Sequence, residues 1–290
     1  MTLPDEIMTV LFRRKGTDEF TSVLARRGLI GWIRKDLPED LFADFIRDPD
    51  GFLNDPSARV LKEGPKTKVI QRRLKDEKGV AREVVVKRFH YRFLLRRLGF
   101  RFFQSPAVRS LKGALLLRQR GFHTPVPLAV FEFRNWKDLG TSYYIAEEVR
   151  DSYSLRDFWR SALPTLARGD RLAVTRSTLR ELAQLLGSLH SMGIYHRDLK
   201  ASNILVQGWE RDGRRFFLVD LDGVWERHCV SLSKRIKNLI QVRGPWSLKE
   251  RIYFFMRYAE LFCKSRKDCK TLVRKALVRN RTGKTPVRRG

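Results

Sequence analysis

The residues able to do chemistry gather in one run: Tyr195-His196-Arg197-Asp198-Leu199-Lys200-Ala201-Ser202-Asn203-Ile204-Leu205-Val206. Asn203 follows Asp198 after four residues, and Lys200 stands two residues beyond the Asp. A carboxylate so placed can accept the proton of an attacking hydroxyl. An amide oxygen one short loop further on can hold a metal ion on phosphates, and an ammonium beside them offsets the charge that builds up in transfer. The set is that of phosphoryl transfer, with Asp198 as base, Lys200 as its charge-neutralising catalytic partner and Asn203 as a metal ligand. A second acidic segment, Val219-Asp220-Leu221-Asp222-Gly223, follows about twenty residues later. An apolar strand ending in a carboxylate is what a second metal ligand requires. Asp220 directly follows the apolar residues and is the first choice; Asp222 is the rival, supporting ligand.

Elements that could position these groups are legible on both sides. Thr175 to Ser191 places Leu179, Leu182, Leu185, Leu186 and Leu189 on one helical face and leads into the loop. Asn203–Gln207 and Arg215–Val219 form a hairpin around Asp212-Gly213. Further upstream, Ala58–Lys62, Val69–Leu74 and Arg82–Phe89 are β-branched runs separated by turns, and predict a small antiparallel sheet. Ser105-Pro106 opens a helix that runs to about Arg120 and closes at Gly121. A fourth strand follows over Thr124–Glu132 and a fifth over Thr141–Val149.

The His-Arg-Asp run followed by four residues and Asn resembles the catalytic loop of protein kinases. In that frame Lys87, ending the third strand, grips the α- and β-phosphates of ATP. The loop at Gly64 covers those phosphates with one glycine where the protein-kinase loop carries three. Glu148 and Val149 lie in the hinge whose backbone meets the adenine. The expected cofactors are ATP and magnesium (Mg2+). The Ala-Pro-Glu motif of peptide kinases is absent, and the space after Asp220 is short for an activation loop, which argues against a protein substrate.

The chain of 290 residues is long enough for two lobes, and its apolar content of 42% is that of a globular protein. Its 60 Lys and Arg against 32 Asp and Glu give a net charge of +28. Such an excess implies an anionic partner, an acidic glycolipid or an anionic membrane surface. No nucleic-acid-binding motif accompanies the charge, which argues against nucleic acid. Residues 84–131 hold no Asp or Glu and interleave Arg and Lys with Phe89, Tyr91, Phe93, Phe100, Phe102 and Phe103, a candidate for docking on lipid phosphates. No apolar run is long enough to span a bilayer, and the start of the chain lacks the layout of a signal peptide. Cys229, Cys263 and Cys269 form neither a disulfide framework nor a zinc pattern, so a reducing, cytoplasmic compartment is expected. Leu41, Phe42, Phe45 and Ile46 keep helical spacing within an apolar N-terminal stretch, which is read as packing on the adjoining strand-rich lobe, with a lipid-facing segment as the alternative.

From about Val60 to about Phe262 these residues resemble the bacterial lipopolysaccharide kinase (Kdo/WaaP) family. The likeness rests on the single-glycine loop after Lys62, Val86-Lys87 and Gly121-Phe122-His123-Thr124-Pro125-Val126-Pro127. It rests also on the catalytic loop, the aspartate doublet, Lys237-Asn238-Leu239 and Arg251-Ile252-Tyr253-Phe254. The resemblance implies an α+β, bilobal protein-kinase-like fold: a small antiparallel β-sheet N-lobe with one main helix, and a larger, mostly helical C-lobe. The expected division is 1–56 as an N-terminal extension on the N-lobe, 57–150 the N-lobe, 151–282 the C-lobe and 283–290 a basic tail. It further implies ATP-dependent phosphorylation of a Kdo or heptose hydroxyl in the lipopolysaccharide core, at the cytoplasmic face of the bacterial inner membrane. One departure stands out: kinases pair the strand Lys with a Glu on the next helix, and here Ser110 holds that position, with Lys112 beside it. The alternative reading is a pseudokinase-type binding module that recruits an anionic partner. The sequence does not speak to self-association.

Overall fold

The computed structural model describes residues 19–24, 28–76, 78–90, 104–133, 140–209, 213–242, 244–262 and 266–281. The chain divides into two compact units, residues 1–148 and 149–290.

The first unit is built on a seven-stranded antiparallel sheet. Its strands are β1 (Phe20–Leu24), β2 (Leu29–Arg34), β3 (Arg59–Glu63), β4 (Thr67–Lys75), β5 (Ala81–His90), β6 (Pro127–Phe133) and β7 (Thr141–Glu147), in the order β1-β2-β6-β7-β5-β4-β3. The period of two works as expected in the central strands: Ile70, Leu74, Val84 and Val86 all point into one core. The sheet is larger than the small one read from the sequence, because residues before 57 supply β1 and β2. Leu29, Trp32 and Ile33 are all buried in β2, so the strand lacks the alternation that marks a half-solvated one. Gly31 permits this arrangement: a Cβ there would lie 2.4 Å from the Phe131 ring across the β2–β6 pair.

Each face of the sheet is roofed. A 3-10 turn at Glu39–Phe42, helix α1 (Ala43–Arg47) and helix α2 (Pro49–Asn54) cover one face. The ring of Phe45 sits 4.9 Å from Phe131, 5.1 Å from Tyr143 and 5.4 Å from Phe52. Burying each such ring contributes about 1.5–3 kcal/mol, so this N-terminal segment is part of the core. On the other face, α3 (Pro106–Gln119) packs Ala107, Val108 and Leu111 against Phe20, Trp32, Phe89 and Val130. The Ser105 hydroxyl accepts the Val108 N–H at 3.2 Å, Pro106 takes the first turn, and Gly121 leaves the helix at φ 80°.

The second unit is mostly helical. Helix α4 (Arg168–Ser191) begins seven residues before the expected Thr175, since its exposed first turns carry no apolar stripe. It buries Leu179, Leu182 and Leu186 alongside Phe254, Phe255 and Tyr258 of α6 (Leu248–Glu260). Between them run α5 (Leu232–Gln241) and four short strands, a fifth short strand precedes α4, and α7 (Arg266–Arg281) follows. Strands β8 (Ser152–Ser154), β10 (Ile204–Gln207) and β11 (Arg215–Leu218) form one sheet, and β9 (Ile194–His196) pairs with β12 (Val224–Glu226). Among the described residues no helix is long and apolar enough to cross a membrane. Phe12, the aromatic-basic stretch 91–103, Cys263, Asp212 and the tail from 283 lie outside the described residues, as does the side chain of Cys269.

Candidate active site

In the second unit, β9 carries the chain into the loop that follows α4, and β10 carries it out. Asp198 lies between them, about half exposed, and Lys200 donates to its Oδ2 at 2.7 Å. A 3-10 turn over Ala201–Asn203 brings Asn203 back toward the Asp. Its Nδ2 donates to the Asp198 carbonyl at 2.8 Å and lies 3.4 Å from Asp198 Oδ2 and 3.5 Å from Asp220 Oδ2. With Nδ2 engaged by the backbone, Oδ1 is the atom Asn203 can offer to a cation.

Asp220 stands two residues beyond β11, which stops at Leu218, and lies in the left-handed region, φ 64° and ψ 55°. Asp tolerates that conformation better than most residues, and a left-handed non-glycine residue is a feature of functional sites. The Val219 N–H donates to the Asn203 carbonyl at 3.0 Å, locking the two segments together just before Asp220. Asp222 goes elsewhere: its Oδ2 accepts from Arg197 Nη2 at 3.2 Å. Asp198, Lys200, Asn203 and Asp220 thus form one cluster, with Asp222 turned to its flank.

His196 holds the cluster to its strand. Its Nε2–H donates to the Val219 carbonyl at 3.1 Å, and its Nδ1 accepts the Asp198 N–H at 3.2 Å. Both contacts call for the neutral ring. Burial pushes its pKa down, opposed by the Val219 bond and by the nearby carboxylates of Asp220, Asp198 and Asp222. Helix α5 supports the loop from below, an arrangement sequence reasoning missed. Asn238 Nδ2 donates to the His196 carbonyl at 2.7 Å and Gln241 Nε2 donates to the Arg197 carbonyl at 3.0 Å. The signal was available: Asn238 is a polar residue on the inward face that carries buried Ile236 and Leu239. Behind it, His190 joins Asn238 at 3.1 Å and Tyr258 at 2.7 Å.

The remaining candidates belong to the first unit and its boundary. Lys87 lies inside β5 and not at its end, opposite Val69 and Tyr144, with its ammonium 4.6 Å from the Phe89 ring centre. Gly64 sits in the β3–β4 turn, its N–H donating to the Thr67 carbonyl at 2.9 Å. The Glu148 N–H is taken by the Glu83 carbonyl, and its side chain accepts from Gln71 at 2.8 Å. The Val149 carbonyl accepts from the Ser152 hydroxyl at 2.6 Å. Ser110 is buried in α3 and donates back to the Pro106 carbonyl at 2.9 Å, so its hydroxyl serves its own helix.

Among the described residues no three His, Cys, Asp or Glu side chains converge on a metal site. Asn203 and Asp220 nevertheless offer two hard oxygen donors. One amide oxygen and one carboxylate suit Mg2+, a hard cation that prefers oxygen ligands and needs few of them from the protein.

A five-stranded antiparallel core extended by β1 and β2, a helix packed beneath it, and a helical unit presenting Asp, Lys, Asn and Asp from two linked loops define a protein-kinase-like fold. A solved structure of WaaP in complex with acyl carrier protein shares it, with a TM-score of 0.55 and 18% identity over 83% of this chain and 97% of that one. The lipopolysaccharide kinase (Kdo/WaaP) family matches residues 56–246, and the chain belongs to that family. A curated relative, the 3-deoxy-D-manno-octulosonic acid kinase of Pasteurella multocida (strain Pm70), is 45% identical over 49 residues. That match spans 17% of this chain and 20% of the relative's length.

Proposed function

We propose that this chain transfers a phosphoryl group from ATP, with Mg2+, to a sugar hydroxyl of Kdo or heptose in the lipopolysaccharide inner core. It would do so as a peripheral protein at the cytoplasmic face of the inner membrane. The cluster of Asp198, Lys200, Asn203 and Asp220 carries this reading, together with the family membership.

Asp198 would take the proton of the acceptor hydroxyl through the oxygen not held by Lys200. Lys200, free to swing from Asp198 onto the transferring group, would neutralise its charge. Asn203 and Asp220 would hold Mg2+, which would supply positive charge to offset that of the phosphates. Lys87 and Gly64 would contact the phosphates, and Glu148 and Val149 the base. Because the Glu148 N–H is already bonded to Glu83, Val149 is the residue of the pair with a backbone donor to offer. Positioning and charge neutralisation supply most of the rate in such transfers, which fits a site with no nucleophile of its own. A net charge of +28 suits an anionic, membrane-embedded acceptor. A module that only binds is not favoured, since each of the four groups is present and in contact.

The test is transfer of labelled phosphate from ATP to deep-core lipopolysaccharide, comparing wild type with Asp198→Ala. Removing the base should lower kcat by about 100-fold or more while nucleotide binding persists. Transfer at the wild-type rate in Asp198→Ala refutes the assigned role, and no labelling of any core acceptor by the wild type refutes the reaction.

A further inference from the structure

The two-stranded ribbon of β9 and β12 carries a cluster that the reaction chemistry does not use. Trp225 stands opposite Tyr195 across the ribbon, their rings 4.9 Å apart. Two cations lie on the indole: Lys234 Nζ is 4.2 Å and Arg227 Cζ 4.9 Å from the ring centre. Lys234 comes from the first turn of α5, and Arg227 extends the ladder, its N–H donating to the Gly193 carbonyl at 3.0 Å. Trp225 and Arg227 share a face of the ribbon by their spacing of two, which sends Glu226 to the opposite one. Among the described residues neither Lys234 nor Arg227 has a carboxylate in ion-pair contact. Arg235, the next residue, is committed to the Val230 carbonyl and the Phe262 ring.

The patch adjoins the candidate base. Tyr195 precedes Asp198 by three residues, a span of at most about 11 Å, and the Arg197 N–H fastens the loop to the Gly223 carbonyl at 3.0 Å. An aromatic edge with two unneutralised cations beside a hydroxyl-activating carboxylate is the recognition chemistry of a charged sugar. The ring packs on C–H groups, and the ammonium and guanidinium take the anion.

We propose that Trp225, Arg227 and Lys234 form an acceptor subsite that binds a sugar-borne anion, a ring carboxylate or a phosphate ester, next to the hydroxyl presented to Asp198. This inference rests on the proposed sugar-kinase reading and deepens it.

Binding of three probes is measured calorimetrically without nucleotide: an acidic sugar glycoside with a ring carboxylate, its carboxylate-reduced counterpart, and a hexose phosphate. Wild type is compared with Arg227→Ala/Lys234→Met, which removes the two cations on the indole, and with Trp225→Phe. The double variant should lose affinity for the anionic probes by about tenfold or more, as expected for lost charge-assisted hydrogen bonds. The reduced glycoside should bind weakly to both proteins. Tighter binding of the acidic glycoside assigns the anion as a carboxylate, and tighter binding of the hexose phosphate assigns it as a phosphate. Equal affinity of wild type and double variant for both anionic probes overturns the subsite. Transfer assays separate the two readings. Labelling with an unchanged acceptor KM in the double variant sinks the subsite and leaves the reaction. Variant-sensitive binding with no transfer by the wild type sinks the reaction and leaves the subsite.

Discussion

His190 is 1% exposed and joins Asn238, the residue that holds the His196 carbonyl in place. Asn238 Nδ2 is occupied by that carbonyl, so its Oδ1 faces His190 and accepts from Nε2–H. Nδ1 then accepts the Tyr258 hydroxyl proton, and the ring is neutral. Burial is the main cause that brings its pKa from 6.5 down to about 4, with Arg235 adding to the fall and the bond to Asn238 opposing it. A folded pKa below that of the open chain means that the unfolded state binds the extra proton first. His190 therefore contributes fully above about pH 6.5, and that stability is lost as pH falls toward 4. Integrated between pH 7.5 and pH 5, the loss is about 2 kcal/mol. In urea unfolding followed by tryptophan fluorescence this moves the midpoint by about 1 M, taking a slope of about 2 kcal/mol/M. His190→Gln removes the titration, so its stability should fall less between the two pH values, by about the same 2 kcal/mol. His196, also pushed down by burial, is present in both proteins and cancels. An equal pH-dependent loss in wild type and His190→Gln would refute the reasoning, whatever the variant's baseline stability.

Two further outcomes are expected. Asp220→Asn keeps a side chain at home in the left-handed region, so its melting temperature should stay within about 2 °C of wild type, a shift worth less than about 1 kcal/mol. Its kcat/KM should fall by about 100-fold or more with a raised Mg2+ requirement; loss of folding instead would show that the carboxylate is structural. Gly193 lies at φ 75°, and an added Cβ would meet the Arg227 carbonyl oxygen at 1.8 Å. Gly193→Ala should cost about 3 kcal/mol or more and lower thermal stability, whereas a wild-type melting curve would mean that the ribbon is not held as described.

The candidate cluster was legible because its identities follow a chemical pattern at fixed spacing: Asp198, Lys200 and Asn203 come from the loop run, and Asp220, read from the second acidic segment, lies beside them. The strands β3 to β7 were legible from β-branched runs between turns, and α3 from its Ser-Pro start and Gly stop. The sequence ranked Asp220 ahead of Asp222 because it directly follows the apolar residues, but it did not show that Asp222 Oδ2 accepts from Arg197 Nη2. Lys87 looked like a strand end since Phe89 and His90 precede a basic, aromatic stretch, yet the ladder with β7 carries on through His90↔Thr141. β9 and β12 span three residues each, too short for any periodicity. The α5 props were missed for a different reason: a polar Asn238 on an inward face signals a buried partner, but that partner is a backbone carbonyl of the loop, which no residue type identifies.

The first two strands and the helices over Phe42–Leu53 have a practical consequence. The stretch that matches the family begins at residue 56, yet Leu29, Ile33, Phe42, Phe45, Phe52 and Leu53 lie before it and inside the main core. Cutting at that boundary would strip the roof from one face and leave the Ala129–Phe133 side of β6 with unpaired backbone groups. An open, flat, apolar margin of that kind templates pairing with other chains. A fragment trimmed to the recognisable family segment is therefore expected in inclusion bodies, because the stretch by which relatives are recognised is shorter than the stretch that folds.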